Sequence, residues 1–212
     1  MEVKRFVCNP FQEICYVLYD DTKEAVIIDC GCASAQERQR LLDFIQRKEL
    51  KPVKLLNTHL HIDHVAGNDF IKETFGLLPI AHSDDVFIYE KTMEQAAMFG
   101  FPIDKAPPAL GALLNEGDVI NFGEEQLSVI HVPGHSPGSV CFYNEAEGVM
   151  IVGDVLFRGS IGRTDLWGGD TETLVQGIHS KILTLGDEVV IAPGHGNLTT
   201  VGEERINNPF LR

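Results

Sequence analysis

Four short apolar runs in this chain each end in a turn that carries a histidine or an aspartate, and no other feature restricts its fold as tightly. VKLLN (53–57) leads into Thr58-His59-Leu60-His61-Ile62-Asp63-His64; QLSVIH (126–131) leads to His135, GVMIV (148–152) to Asp154 and EVVIA (188–192) to His195. Runs of this length, rich in β-branched residues and bounded by Gly, Pro and Asn, read as strands. A fold that lines these strand ends along one rim brings the ligand-type residues together from distant parts of the chain.

The segment from Thr58 to His64 alone holds three of the chain's eight histidines together with Asp63. Imidazole and carboxylate suit zinc, iron or manganese, and the lack of thiolates in the cluster argues against a Cys-rich structural zinc site. Where a strand enters a helix, the alternate residues His59, His61 and Asp63 are expected to project to one side, so the turn can feed two adjacent metals. A solvated helix start would not concentrate four ligand-type residues this way. His82, His131 and His179 stand alone and are expected to pack or to support ligands.

The rest of the chain is mixed. ICYVLYD (14–20), EAVIID (24–29) and SVCFY (139–143) also read as strands, while 34–49, 67–76, 83–100 and 171–186 carry helical periodicity, the first behind a Ser34 cap. Strands come in adjacent runs before a helix intervenes, which predicts antiparallel or mixed pairing in a layered sandwich with outer helices. With 212 residues and no linker-like stretch, one domain spanning 1–212 is expected. The loops 99–112 and 157–170, rich in Gly and Pro, are long for a compact domain and are candidate functional loops.

Composition removes several function classes. The net charge is −14 and no cluster of Lys and Arg stands out, which disfavours a nucleic-acid partner. No window approaches the ~18 apolar residues of a membrane span, and the N-terminus lacks a basic, then apolar, secretion pattern, so a cytoplasmic protein without a membrane partner is expected. Five cysteines form no regular framework and are expected to be reduced, with Cys30 and Cys32 as small buried fillers.

VPGHSPGS (132–139) fits G-x-S-x-G, the nucleophile elbow of serine hydrolases. That elbow draws an oxyanion donor from the N–H after the serine, and Pro137 has none. His135 is therefore the working residue, and Ser136 is expected to steady the turn or a neighbouring ligand through a hydrogen bond.

The blocks NPFQEICYVLYD, IIDCG, THLHIDH, HVPGHSPGS, VGDVLF and APGHG, in this order, make nearly the whole chain resemble the metallo-β-lactamase superfamily. The resemblance implies an α+β fold, a four-layer αββα sandwich, with a dinuclear site at one edge. It implies His59, His61 and His135 on one metal, Asp63, His64 and His195 on the other, and Asp154 with a hydroxide between them. Two divalent ions follow, zinc foremost, with iron or manganese accepted by the same ligands, and Asp63 and Asp154 are the expected catalytic carboxylates. Asp29 resembles the family's structural aspartate and is expected to orient ligands. In true β-lactamases Cys or Ser usually replaces Asp154, and in the flavodiiron branch Glu replaces His61; neither replacement is present here.

LFRGSIGRTDLWGGD resembles the loop of glyoxalase II and its short bacterial relatives, where Arg163 aligns with a basic residue that contacts glutathione. Phe157 and Arg158 are expected to touch substrate beside it. Similar G-R-T-D loops occur in persulfide dioxygenases. The helical C-terminal region with which full-length glyoxalase II holds glutathione has no counterpart in the 17 residues after His195.

Two divalent ions balanced by Asp63, Asp154 and one hydroxide leave a formally positive site in an acidic protein, which predicts a small anionic substrate. A thioester suits it, because a thiol with pKa near ~8.5 leaves without a strong general acid. The expected activity is hydrolysis of a glutathione thioester such as S-lactoylglutathione. The alternatives are a mononuclear iron persulfide dioxygenase using His59, His135 and Asp154, a lactonase or other ester hydrolase, and a non-catalytic metal-binding module.

Overall fold

The computed structural model describes residues 1–103 and 105–212; the expected functional loop 99–112 includes Asp104, which lies outside the described residues. The first half of the chain builds a six-stranded mixed sheet. β1 (Glu2–Cys8), β2 (Glu13–Tyr19) and β3 (Glu24–Ile28) pair antiparallel, and after α1 (Ala35–Arg47) strand β4 (Lys51–Leu56) adds parallel to β3. α2 (Ile62–Val65) and α3 (Asn68–Phe75) lead to β5 (Pro79–His82), and α4 (Val86–Glu90) and α5 (Thr92–Phe99) lead to β6 (Ala112–Leu114), both strands again parallel.

The second half repeats the plan. β7 (Val119–Phe122), β8 (Glu125–His131), β9 (Val140–Asn144) and β10 (Val149–Gly153) pair antiparallel. A small hairpin of β11 (Leu156–Phe157) and β12 (Ser160–Ile161) and helix α6 (Thr171–Gly177) follow. β13 (Val190–Pro193) adds parallel to β10 and is flanked by β14 (Thr199–Thr200), before α7 (Val201–Asn207).

Three buried clusters define four layers. Ile14, Tyr16, Leu18, Val26 and Leu56 of the first sheet meet Phe122, Leu127, Val129, Phe142 and Ile151 of the second. On its other face the first sheet packs Val17, Ile27 and Leu55 against Leu41, Phe44 and Ile45 of α1 and Phe70 and Ile71 of α3. The second sheet packs Cys141, Met150 and Ile191 against Leu174, Ile178 and Ile182. The molecule is thus an αββα sandwich, and β2, interior on both faces, is buried at every residue.

Local rules explain most elements. Ser34 and Glu37 form a reciprocal capping box at the start of α1, and Gly76 closes α3 in the left-handed region at φ 72°. Two expected helices differ. Segment 83–100 breaks into a 3-10 turn at Ser83–Asp85 and the helices α4 and α5, because the chain turns at Lys91, where the Thr92 hydroxyl bonds back to the Tyr89 carbonyl at 2.6 Å. Segment 171–186 is α-helical only to Gly177 and continues as a π-turn over Ile178–Ile182. All five cysteines are buried and unbridged. No helix among the described residues is long and apolar enough to cross a membrane.

Parallel pairing positions the rim. Gly153 lies beside Pro193 at the shared end of β10 and β13, so Asp154 and His195 emerge together. Ile28 lies beside Leu56 at the ends of β3 and β4, which sets Asp29 against Thr58. The Ile14 N–H and the Tyr16 hydroxyl donate to the carbonyls of Gly194 and Pro193 at 2.8 and 2.7 Å, tying this rim of one sheet to the other.

Candidate metal centre

The seven sequence-derived ligand residues meet at the rim as two clusters. His59, His61 and His135 form one, with His135 Nε2 lying 3.2 Å from His59 Nε2 and 2.9 Å from His61 Nδ1. Asp63, His64 and His195 form the other, with Asp63 Oδ2 lying 3.1 Å from His195 Nε2 and 3.7 Å from His64 Nε2. Asp154 stands between them: Oδ1 is 3.4 Å from His64 Nε2, and Oδ2 is 3.5 Å from His195 Nε2 and 3.8 Å from His135 Nε2.

The way the cluster is reached differs from strict strand alternation. After His61 the chain winds into the single turn of α2, so Asp63 and His64 project from a helix rather than from an extended strand. Helical winding is what lets two consecutive residues serve one cluster, since on a strand they would face opposite ways. Two glycines make room. A Cβ on Gly194 would collide with Asp154 Oδ1 and the His64 ring, and a Cβ on Gly153, at φ 50°, would collide with the Thr58 hydroxyl.

Hydrogen bonds behind the rings fix which nitrogen each histidine presents. His135 Nδ1 donates to the Arg163 carbonyl at 2.7 Å, and His195 Nδ1 donates to the Phe11 carbonyl at 3.0 Å. His64 Nδ1 donates to Asp29 Oδ2 at 3.1 Å. The Thr58 hydroxyl gives its one proton to Asp29 at 2.6 Å, so toward His59 Nδ1, 3.1 Å away, it acts as acceptor. Four rings therefore carry a proton on Nδ1 and turn Nε2 into the site, while His61 turns Nδ1.

These donors fit divalent metal ions. Bonds of about 2.1 Å around a tetrahedral metal space the donor atoms about 3.4 Å apart, close to the distances within both clusters. His64 Nε2 and Asp154 Oδ1 are buried without a hydrogen-bond partner among the described residues, an arrangement that a cation between them would satisfy. Burial and the neighbouring His135 push His61 down to about 3, and burial holds His59 well below its ordinary value, so neither ring keeps a proton that a metal would have to displace. Burial disfavours charge on Asp63, Asp154, His64 and His195, yet with no other cation between them the two carboxylates raise both rings above their ordinary value and are themselves held low, so a divalent ion would take the place of the Nε2 protons.

Support comes from Asp29, which the family resemblance singled out, and from residues that spacing could not reveal. Asp29 sits in the left-handed region at φ 52° and accepts from Thr58 N–H, the Thr58 hydroxyl and His64. Asp85, fully buried, accepts from Leu60 N–H at 3.0 Å, the Ser136 hydroxyl at 2.7 Å and Gly138 N–H at 2.6 Å. It thereby clamps the His59–His61 loop to the His135 turn, and Ser136 acts through Asp85 rather than on a ligand. Asn9 and Asn57 donate to the carbonyls of Asp63 and His64 at 2.9 and 3.0 Å. Nothing in the sequence separates Asp85 from its neighbour Asp84; only the fold brings it to Ser136.

The remaining histidines stand away from the cluster. His82 and His131 stack on each other with ring centroids 4.1 Å apart, and His131 Nε2 donates to the Pro137 carbonyl at 2.7 Å, bracing the His135 turn. His179 is exposed. A cavity of about 370 Å³ opens on the metal cluster and is lined by Phe11, Ile62, Gln95, Phe99, Arg163 and Leu166 beside the ligands. Arg163 points its guanidinium at Asp165, with contacts of 2.7 and 2.8 Å. Phe157 sits edge-on to His195 at 6.3 Å, and Arg158 is exposed on the β11–β12 turn, away from the cavity lining.

Residues 8–195 match the sequence profile of the metallo-beta-lactamase superfamily. The chain belongs to that superfamily. It is 39% identical, over 100% of this chain and 98% of the relative, to the hydroxyacylglutathione hydrolase GloC of Haemophilus influenzae. It is 35% identical to the probable metallo-hydrolase YqgX of Bacillus subtilis, over 100% of this chain and 98% of the relative. Among solved structures it superimposes on the BLEG-1 B3 metallo-beta-lactamase with TM-score 0.90 at 42% identity, covering 99% of both chains. It superimposes on the di-iron-bound form of TTHA1623 with TM-score 0.88 at 37% identity, covering 98% of this chain and 100% of that one. The superfamily fold, expected from the signature blocks, is the one the structure adopts.

Proposed function

We propose that this superfamily member is a dinuclear metal-dependent thioester hydrolase acting on a glutathione-type thioester such as S-lactoylglutathione. The observation that carries the reading is the pair of three-residue clusters with Asp154 reaching both, open to a cavity of about 370 Å³. His59, His61 and His135 would hold one ion and Asp63, His64 and His195 the other, with Asp154 shared. Bound there, two divalent ions supply an activated water at neutral pH and polarise a carbonyl.

The chain's own residues do the rest. Asp29, Thr58, Arg163 through its carbonyl, and Phe11 through its carbonyl keep the ligand nitrogens aimed, so the site is organised before substrate arrives. In the reaction water adds to the thioester carbonyl, the C–S bond breaks, and a carboxylic acid and a thiol leave. A thiolate leaves readily near neutral pH, which matches a cavity whose lining, among the described residues, contributes no titratable acid beyond the candidate ligands, apart from the guanidinium of Arg163. The full-length relation to GloC supports the same chemistry. A single iron on His59, His135 and Asp154 would leave His61, Asp63, His64 and His195, the first three buried and the last half-buried, as converging donors without an ion, which favours the dinuclear reading over persulfide oxidation.

The test is one purified sample assayed for metal content, thiol release from S-lactoylglutathione and persulfide-dependent oxygen uptake. The expected result is about two ions per chain and thiol release without oxygen uptake. One iron per chain with oxygen consumption and sulfite formation would replace the reading with a dioxygenase. Full metal content and full activity in both His59→Ala and Asp154→Asn would overturn the ligand assignment.

A further inference from the structure

Next to the metal-facing cavity lies a smaller chamber of about 180 Å³, walled by Met98, Phe99, Leu166 and Trp167. The two spaces share His61, Gln95, Phe99 and Leu166, so they are continuous at the edge of the His59–His61–His135 cluster. Of its polar neighbours, His61 stands at the mouth, and the other two are already engaged. The Gln95 amide accepts from Ile62 N–H at 3.2 Å and donates to the Ile88 carbonyl at 2.9 Å, and Asp165 is held by Arg163. Lys91 Nζ sits over the Trp167 ring, 4.9 Å from its centre.

Building on the thioester-hydrolase reading, we infer that this chamber receives the acyl arm of the substrate and selects medium-length alkyl or aryl acyl groups over short hydroxyacyl groups. Size and polarity assign the arm. Glutathione is a drug-sized ligand, and such ligands occupy sites of roughly 300–1,000 Å³. Its two carboxylates and ammonium would also find no free charged partner in the chamber walls among the described residues. The carrier must therefore lie toward the open cavity, leaving the apolar walls to the acyl group. A lactoyl group is too short to reach beyond His61, the one polar side chain of the lining left open at the mouth, whereas a hexanoyl or phenylacetyl group extends past it and buries apolar surface against Met98, Phe99, Leu166 and Trp167.

Trp167 is the chain's single tryptophan, so the chamber carries its own fluorescent reporter. Uncleavable S-hexylglutathione and S-methylglutathione are titrated against the intact protein while Trp167 emission is followed. The hexyl compound is expected to bind about tenfold more tightly and to shift the emission to the blue, less than full burial of its methylenes would give, because the chamber is open on one side. In parallel, kcat/KM for S-hexanoylglutathione is expected to exceed that for S-lactoylglutathione. Phe99→Ala and, in the exposed loop, Leu166→Ala should each bring both ratios toward one. Equal affinity of the hexyl and methyl compounds with no emission change overturns the chamber assignment, whether or not thioesters are cleaved. Cleavage of neither thioester with the hexyl preference intact overturns the hydrolase reading and leaves the apolar chamber standing.

Discussion

Replacing Asp85 with Asn tests whether the metal centre depends on a residue that touches no ligand. The carboxylate accepts three hydrogen bonds, from Leu60 N–H, the Ser136 hydroxyl and Gly138 N–H, in a fully buried place. Hydrogen bonds to a charged group contribute about 1.5–3 kcal/mol each, and an Asn must set its NH2 against at least one of these donors. Burial pushes the Asp85 carboxyl above its ordinary value despite the bonds from Ser136, Gly138 and Leu60, so removing the charge recovers part of that loss. A destabilisation of about 2 kcal/mol is expected for Asp85→Asn, read as a lower urea midpoint at unchanged m. Because both His-bearing loops loosen, zinc affinity measured by chelator competition is expected to fall about tenfold. Ser136→Ala should cost less, and the double variant should cost less than the two together, because the residues share one network. A change under about 0.5 kcal/mol with zinc affinity intact, the size of an ordinary surface substitution, would refute the clamp.

Other outcomes follow from single contacts. Gly194→Ala should fold yet lose most bound metal, since the added methyl group meets Asp154 Oδ1 and the His64 ring; elemental analysis of the purified variant checks it. Ser34→Ala removes the side-chain half of the capping box of α1 and should lower stability by about 1 kcal/mol in chemical denaturation, with metal content unchanged. Burial raises Tyr16 and Tyr89 above the ordinary tyrosine value, and burial together with a hydrogen bond to Glu2 takes Tyr19 up to about 12. Stability from these groups is fully present below the unfolded-state value near ~10 and is lost as pH rises toward the folded values. Denaturation midpoints from pH 9 upward should therefore decline, and less steeply in Tyr89→Phe.

The strands that carry the site were legible because burial on both faces demands continuous apolar runs, and those runs end in Gly, Pro or Asn turns. β1 was not, since its alternation of Glu2, Lys4 and Phe6 with Val3, Arg5 and Val7 mixes charge and apolarity on both faces of an edge strand. β5, β6 and β14 are too short to show a period. The 83–100 segment reads as one helix because the break at Lys91 rests on a side-chain bond from Thr92 to Tyr89, which periodicity does not register.

By itself the sequence determined which residues have ligand chemistry and that His59, His135, Asp154 and His195 follow apolar strands, because ligand chemistry and strand patterning are local properties of the chain. Only the tertiary structure decided how they are used. The turning of four ring Nε2 atoms into the site and the clamp of Asp85 on Leu60, Ser136 and Gly138 join segments from both halves of the chain. The chamber beside His61 likewise joins α5 to the 157–170 loop, residues about seventy positions apart. Such groups meet because two sheets pack face to face, a non-local event that residue spacing along the chain does not encode.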